Sequence, residues 1–174
     1  INMGEHPDWG TMIFDYSKPK VQEFLIANAV YWMREFKVDG FRVDGVSSML
    51  FLDYGRNDFI PNKDGGKINY DPIEFLKKFN RVVHEINPDV ITVAEESTGW
   101  AGLTKPLSEN GIGFDFMWGM GAMHHIRQFA TGENRNNDRC SSLFDIGLEA
   151  AIKKGLRPQS RGRRQPSLLN RLQM

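Results

Sequence analysis

The sequence of 174 residues has few of the features that mark secreted or membrane proteins. Its only cysteine is Cys140, so no disulfide forms within the chain, which favours a reducing cytoplasm over secretion. No apolar run approaches the ~18 residues that a membrane-spanning helix needs. The stretch Ile1 to Glu5 lacks the basic flank and apolar core of a signal peptide, and it has no initiator methionine. We therefore expect a cytoplasmic, globular protein that does not associate with membranes and whose sequence begins inside a longer one.

Phosphate-binding motifs and metal-ligand patterns are also missing. Neither Gly-x-Gly-x-x-Gly nor a Walker-type loop occurs, which argues against nucleotide binding. His124 and His125 are adjacent, and adjacent residues point to different sides of a helix, so they do not form a metal site. We expect no metal and no cofactor.

Acidic residues are absent after Glu149, where seven basic residues follow. Removing these seven from the 22 basic residues leaves 15 basic against 22 acidic residues in 1–149, so a basic tail follows an acidic body. A basic arm that binds nucleic acid would need aromatic or motif context, which the tail lacks. We therefore expect no nucleic-acid partner. We predict that 1–130 is the folded part and that 131–174 is a divergent tail, disordered or foreign to the fold.

Hydrophobic periodicity predicts alternating helices and strands. The predicted helices cover 19–37, a segment from Asp71 to Asn87, and 119–129, and the predicted strands cover 40–44, 90–95 and 113–118. A loop-rich insertion is predicted over 45–70. Asp71, Pro72 and Glu74 resemble a capped helix start. This alternation is typical of an α/β fold with a parallel sheet, although it does not separate a closed eight-stranded barrel from an open sheet.

Each of the first two helices has an apolar face that we expect to be buried. In the first helix the face consists of Val21, Phe24, Leu25, Ala29, Trp32, Met33 and Phe36. In the second it consists of Ile73, Leu76, Phe79, Val83 and Ile86.

Two carboxylates stand at the carboxyl ends of successive predicted strands. Asp44 follows the first strand and Glu95 ends the second, and sites in parallel α/β folds are built at that end of the sheet. Two carboxyl groups ~5–5.5 Å apart suit retaining glycosyl transfer, in which one attacks the anomeric carbon and the other protonates the leaving oxygen. Arg42 lies on the same side of its strand as Asp44 and would hold and aim that carboxylate. The alternative is that Asp44 is a helix cap or turn residue.

These residues carry a family resemblance. The segment Asp39-Gly-Phe-Arg-Val-Asp-Gly-Val46 resembles the nucleophile segment of the α-amylase clan of glycoside hydrolases, and Val93-Ala-Glu-Glu-Ser-Thr98 resembles its acid/base segment. Its sequence Ala-Glu-Glu-Ser-Thr is similar to the corresponding segment of glycogen (1,4-α-glucan) branching enzymes. His6-Pro-Asp-Trp-Gly-Thr11 and Gly113-Phe-Asp115 add to the resemblance, which covers about residues 4–129.

The resemblance implies a fold, a reaction and a set of roles. The fold is the (β/α)₈ barrel, of which this chain would supply the middle strands and helices. The reaction, in glycogen biosynthesis, is cleavage of an α-1,4-glucan and transfer of the released chain to a 6-hydroxyl. Asp44 matches the nucleophile, Glu95 the general acid/base and Arg42 the arginine beside the nucleophile, while Glu96 matches a structural neighbour. No cofactor or metal is required, and the oligomeric state cannot be predicted.

The chain departs from the family pattern in ways that leave alternatives open. The family uses a third carboxylate in a His-Asp pair, and no such pair follows Phe129. Near 118–125, Ala122 and His125 replace the usual Trp and Asp. One alternative function is a hydrolase or debranching enzyme of the same clan, and another is a non-catalytic fragment. We expect the chain alone to be inactive.

Four tryptophans are candidates for stacking on sugar rings. Trp32 lies on a predicted core face, so we interpret it as a packing residue. Trp100 and Trp118 lie near predicted strand ends and are the preferred sugar contacts, ahead of Trp9.

Overall fold

The computed structural model describes residues 4–119, and helices and parallel strands alternate along this range. The elements are β1 Glu5–His6, β2 Thr11–Met12, α1 Pro19–Phe36, β3 Gly40–Val43, α2 Val46–Leu50, α3 Tyr70–Ile86, β4 Ile91–Glu96, a 3₁₀ turn Leu107–Glu109, and β5 Phe116–Gly119.

Among the described residues, three parallel strands form the central sheet in the order β3-β4-β5, which is also their order along the chain. Gly40 pairs with Ile91 at the start of β3, and Glu95 pairs with Trp118 between β4 and β5. Helix α3 connects β3 to β4, as a parallel pair requires. The predicted α/β architecture with a parallel sheet is therefore confirmed. The segment β1–β2 is a separate short antiparallel hairpin.

The core lies between α3 and the sheet. Of the five residues on the predicted apolar face of α3, four are buried and only Ile86, in the last turn, is exposed. Phe79 contacts Phe41 of β3 edge-on, with ring centroids 5.9 Å apart. Burying a side chain of this size stabilises the fold by about 1.5–3 kcal/mol relative to leaving it exposed. This packing fixes α3 against the strands that carry Asp44 and Glu95.

The predicted core face of α1 is partly wrong. Ile26, Ala29 and Met33 are buried, whereas Trp32 is 44% exposed and packs against Phe36 with ring centroids 4.5 Å apart. Phe24 and Phe36 are also exposed. Apolar residues surround much of α1, so their spacing alone does not determine which stripe meets α3.

Helix α3 begins one residue before the predicted cap. Tyr70 is its first residue and Asn69 its N-cap, without a side-chain capping bond. Asp71 and Pro72 therefore lie inside the first turn, where the negative charge of Asp71 suits the helix dipole. Glu74 accepts from Lys77 at 2.9 Å instead of closing a capping box.

Several boundaries differ from the predictions. The insertion 45–70 contains helix α2, and β5 begins at Phe116, three residues after the predicted start. Of the predicted helix 119–129, only Gly119 is described, and it ends β5. The His124–His125 pair and the tail 131–174 lie outside the described residues.

Candidate active site

Asp44 and Glu95 meet at the carboxyl edge of the sheet, and Arg42 joins them. Asp44 follows β3 directly, and Glu95 lies near the end of the neighbouring parallel strand β4. Nη2 of Arg42 is 3.1 Å from Asp44 Oδ1 and 2.8 Å from Glu95 Oε2. These two oxygens therefore cannot be farther apart than the sum of the two contacts, about 5.9 Å. The expectation that Arg42 lies on the Asp44 side of its strand is confirmed.

The two carboxylates differ in exposure. The side chain of Asp44 is 81% exposed, whereas that of Glu95 is 17% exposed. Glu95 Oε2 also accepts from the backbone N–H of Gly45 at 3.2 Å. Ion pairs this close to solvent contribute little to stability. The arrangement therefore fixes the position of the Glu95 carboxylate and leaves the Asp44 carboxylate open to approach.

Gly45 turns the chain between β3 and α2. Its φ of 60° lies in the left-handed region, which glycine adopts without a steric penalty. The turn is closed by Ser48, whose backbone N–H and hydroxyl both donate to the Gly45 carbonyl, at 2.9 and 2.7 Å. It directs the Gly45 N–H towards Glu95, so the turn after one carboxylate helps to hold the other.

The two predicted sugar-contact tryptophans have different surroundings. Trp118 is 48% exposed and pairs with Glu95 across β4 and β5, and the guanidinium carbon of Arg42 is 5.4 Å from the Trp118 ring centroid. Trp100 is half-buried against the core, with its ring 5.6 Å from that of Phe51. The structure therefore brings Trp118 to the carboxylates and Trp100 to the packing that supports them.

Glu96 points to the opposite face of β4 from Glu95 and is buried. It accepts from the Ser47 hydroxyl at 3.1 Å, from the Thr98 hydroxyl, and from backbone N–H groups of the loop that follows β4, those of Thr98 (2.7 Å), Gly99 (2.7 Å) and Trp100 (3.1 Å). Burial alone would raise the pKa of Glu96, but the bonds from Thr98, Trp100 and Gly99 outweigh it and lower that pKa. The carboxylate thus organises this loop.

Asp115 joins the segment before β5 to α3 and β4. No sequence pattern beyond the Gly-Phe-Asp segment predicts this role. Asp115 Oδ2 lies 2.8 Å from His84 Nε2 on α3 and accepts from the Thr92 backbone at 2.9 Å and hydroxyl at 3.2 Å on β4. Burial raises the pKa of Asp115, but the bonds from His84 and Thr92 and the charge of His84 lower it overall. Nδ1 of His84 faces the Asn80 carbonyl at 2.8 Å, so both ring nitrogens face acceptors, which fits a protonated imidazole.

Residues 4–119 contain neither a metal-ligand cluster nor a membrane-spanning helix. Within this range, no group of three or more histidine, cysteine, aspartate or glutamate side chains could hold a metal ion. No helix of the described range is long and apolar enough to cross a bilayer.

The arrangement of strands and carboxylates agrees with a sequence-family match. Residues 10–131, more than half of the chain, match the model of the alpha amylase catalytic domain. The chain belongs to the alpha-amylase catalytic-domain family. The three parallel strands and their helices are therefore part of the TIM-type (β/α)₈ barrel of that family.

Within the alpha-amylase family, the curated relatives are named 1,4-alpha-glucan branching enzyme GlgB. The protein of Corynebacterium jeikeium is 55% identical over 126 residues, covering 72% of this chain and 18% of the relative. The protein of Butyrivibrio fibrisolvens is 56% identical over 128 residues, covering 72% and 20%. That of Mycobacterium tuberculosis is 49% identical over 130 residues, covering 74% and 18%. The chain thus spans about a fifth of the length of these relatives.

One solved structure shows a weak likeness to the chain. It is a maltogenic alpha-amylase from Thermotoga neapolitana, 21% identical with a TM-score of 0.48, covering 85% of this chain and 26% of that one.

Proposed function

We propose that the protein is a 1,4-α-glucan branching enzyme whose nucleophile is Asp44 and whose general acid/base is Glu95. The observation that carries the proposal is the contact of one Arg42 nitrogen with both carboxylates at the ends of neighbouring parallel strands. The names of the relatives, at 49–56% identity, support branching as the reaction.

The proposed reaction proceeds in two displacements at one anomeric carbon. Asp44 attacks that carbon of an α-1,4-glucan while Glu95 gives its proton to the departing 4-oxygen, so the shortened chain leaves with a free hydroxyl. The other part of the glucan, whose anomeric carbon was attacked, is then bound to Asp44 as a glucosyl ester. Glu95, now ionised, takes the proton from the 6-hydroxyl of an acceptor glucan. That oxygen attacks the same carbon, Asp44 departs, and an α-1,6 branch with retained configuration results.

The geometry suits these roles. An upper limit of about 5.9 Å between the two oxygens is compatible with the ~5–5.5 Å between carboxyls of retaining enzymes. Asp44 is exposed, as a nucleophile that receives a polymer must be. Glu95 is held by Arg42 and the Gly45 N–H, which keeps its carboxyl in place through both proton transfers.

We also propose Arg42 and Trp118 as substrate contacts beside the carboxylates. Trp118 offers an exposed ring next to Glu95, and the Arg42 guanidinium holds that ring by a cation–π contact. Trp100 stays a predicted contact, since its half-buried ring packs on Phe51. No cofactor is needed for this chemistry.

The remaining assignments rest on the same proposal. We propose α-1,4-glucan, such as glycogen or amylose, as the partner, with no nucleic acid and no membrane, and a cytoplasmic location. We propose 1–130 as the barrel segment and 131–174 as a separate tail, which the end of the family match at residue 131 supports.

The test is a graft into a complete enzyme. Residues 10–131 would replace the matching segment of the Butyrivibrio fibrisolvens branching enzyme, giving the grafted enzyme. We expect it to increase α-1,6 linkages in amylose, and Asp44→Asn or Glu95→Gln to lower that rate by about 10³-fold or more. Asp39→Asn is the matched control, because Asp39 precedes β3 and should leave the rate unchanged.

Two results would contradict the proposal. A grafted enzyme that folds and keeps its rate after Asp44→Asn would remove Asp44 from the nucleophile role. Release of reducing ends without new α-1,6 linkages would favour the hydrolase alternative, in which water replaces the glucan hydroxyl as acceptor.

A further inference from the structure

An aromatic stack stands beside the carboxylates and takes no part in the roles above. The ring centroids of His6 and Trp9 are 3.9 Å apart and their planes differ by 11°, so the rings are stacked face to face. Tyr54 tilts against both, with centroids 5.6 Å from His6 and 6.0 Å from Trp9. We refer to His6, Trp9 and Tyr54 as the aromatic platform.

The platform adjoins the nucleophile. A Cβ atom built on Gly45 would lie 3.6 Å from Cη2 of Trp9, so the indole edge reaches the residue that follows Asp44. The Gly45 N–H is the group that donates to Glu95. Trp9 is therefore next to the turn that follows Asp44 and that donates to Glu95.

One face of Trp9 is covered and much of the rest is open. His6 covers the stacked face, yet Trp9 is 52% exposed. An indole supported on one side and exposed on the other is a surface on which the apolar C–H face of a sugar ring stacks, as aromatic faces do in carbohydrate and other ligand sites. Trp32 is exposed as well, but the rings that pack against it are those of Tyr31 and Phe36, which lie on the same helix α1.

The structure holds this indole at a cost. His6 is buried, and within residues 4–119 neither of its ring nitrogens has a hydrogen-bond partner. A buried polar group without a partner is destabilising, and such departures from local rules concentrate at functional sites. A leucine or phenylalanine beneath Trp9 would be cheaper if packing were the purpose.

The platform is also closely fitted to the loop that carries Tyr54. A Cβ on Gly55 would lie 2.6 Å from Asp8 Oδ2 and 3.0 Å from His6 Cε1, so a side chain there would have to displace the Asp8 carboxylate and would crowd the His6 ring. A backbone bond from the Gly10 N–H to the His6 carbonyl, 2.9 Å long, closes the hairpin that carries Trp9. The indole is thereby fixed before any ligand arrives, which lowers the entropic cost of binding.

We propose that Trp9, backed by His6, is the stacking platform for a glucosyl unit of the α-glucan that lies beside Asp44. The inference rests on the proposed function, since it takes α-glucan as the substrate. It adds a subsite in which Trp9 recognises a glucosyl ring by the apolar face of that ring. The subsite lies next to the carboxylates, which act on the neighbouring glucosyl unit.

The first test is chemical and needs no mutation. The full 174-residue chain is oxidised with N-bromosuccinimide, with and without saturating maltoheptaose, and each tryptophan is followed by peptide mass spectrometry. We expect maltoheptaose to slow the oxidation of Trp9 at least fivefold and to leave that of Trp32 unchanged. Equal rates at Trp9 with and without the oligosaccharide, while Trp118 is protected, would overturn the platform and leave the proposed function standing.

The second test compares variants of the same chain by isothermal titration with maltoheptaose. Trp9→Ala should raise the dissociation constant about tenfold, Trp9→Phe should raise it less because a stacking ring remains, and the matched control Trp32→Ala should leave it unchanged. Circular dichroism checks that each variant is folded. Binding unchanged in a folded Trp9→Ala variant would refute the platform. A wild-type chain that binds no maltoheptaose would refute the platform, whereas the glucan substrate is decided separately by the branching assay of the grafted enzyme.

Discussion

Arg42 donates to Glu95 across two neighbouring strands, with Nη2 and Oε2 2.8 Å apart. Since the same nitrogen reaches Asp44, one side chain sets the distance between the two groups on which a double displacement depends. Arg42 also faces the ring of Trp118, so its planar guanidinium contacts three members of the site at once.

Arg42→Lys in the grafted enzyme should therefore be far from conservative. The ammonium of lysine has neither the planar fork nor the stacking surface of a guanidinium. We expect kcat/KM to fall about 10²-fold, with most of the loss in kcat because alignment is lost rather than binding. Arg34→Lys on α1 is the control. A rise in KM with kcat unchanged would assign Arg42 to substrate binding alone.

The adjacent glutamates should separate activity from stability. Glu95→Gln should lower the branching rate by about 10³-fold or more but change the free energy of unfolding by less than about 0.5 kcal/mol, because the amide oxygen of glutamine can still accept from Arg42 and from the Gly45 N–H. Glu96→Gln places an amide NH₂ against the N–H donors of residues 98–100 and should destabilise the fold by about 1–3 kcal/mol. Urea unfolding measures both values. If Glu95→Gln lowered the free energy of unfolding more than Glu96→Gln does, the assignment of Glu95 to activity and Glu96 to stability would be wrong.

Acid should unfold the protein through Glu96 and Asp115. Their pKa values in the folded state are lowered from the ordinary values of 4.5 and 3.8. A lowered pKa contributes stability that is present above the ordinary value and is lost as pH falls through the folded one. The contribution of these two carboxylates to the free energy of unfolding should thus stay level down to about pH 5 and decline below it. Asp115→Asn should make this decline shallower, as urea titrations between pH 3 and 6 would measure, and an unchanged slope would contradict this linkage.

Gly40→Ala should disturb the alignment of β3 with β4. A Cβ at residue 40 would lie 2.5 Å from the backbone oxygen of Ile91, which cannot move aside as a side chain can. We expect a loss of about 1–3 kcal/mol in the free energy of unfolding. Gly66→Ala is the matched control, because only side-chain atoms of Asn62, at 3.5 Å or more, face that position. Equal stability of the two variants would mean that the strands accommodate the methyl group.

The sequence predicts the parts of the fold that depend on local pattern. The helix over 19–37, the strands around Asp44 and Glu95, and the helix that ends before Asn87 are each found within one or two residues. These elements have strong periodicity or clear termination signals, so local chemistry and tertiary packing agree.

The rest depends on contacts that no local pattern encodes. Trp32 is exposed because packing against α3 selects Ile26, Ala29 and Met33 from a helix that is apolar on several sides. The His84–Asp115 pair is separated by 31 residues, and no periodicity links its members. The stacking of His6 on Trp9 likewise depends on a hairpin with only two residues in each strand, too short to be recognised from alternation.

The alternation of side chains along β4 means that Glu95 and Glu96 cannot substitute for each other. Deletion of one residue from β4 upstream of Glu95 would move Glu96 into the position opposite Asp44 and leave the following loop without its acceptor. A carboxylate would still lie beside Asp44, yet the loop after β4 would lose the acceptor that holds its backbone N–H groups. Changes in chain length should therefore be tolerated in the turns over 56–66, and not within 40–44 or 91–96, where a single insertion or deletion should abolish folding and catalysis together.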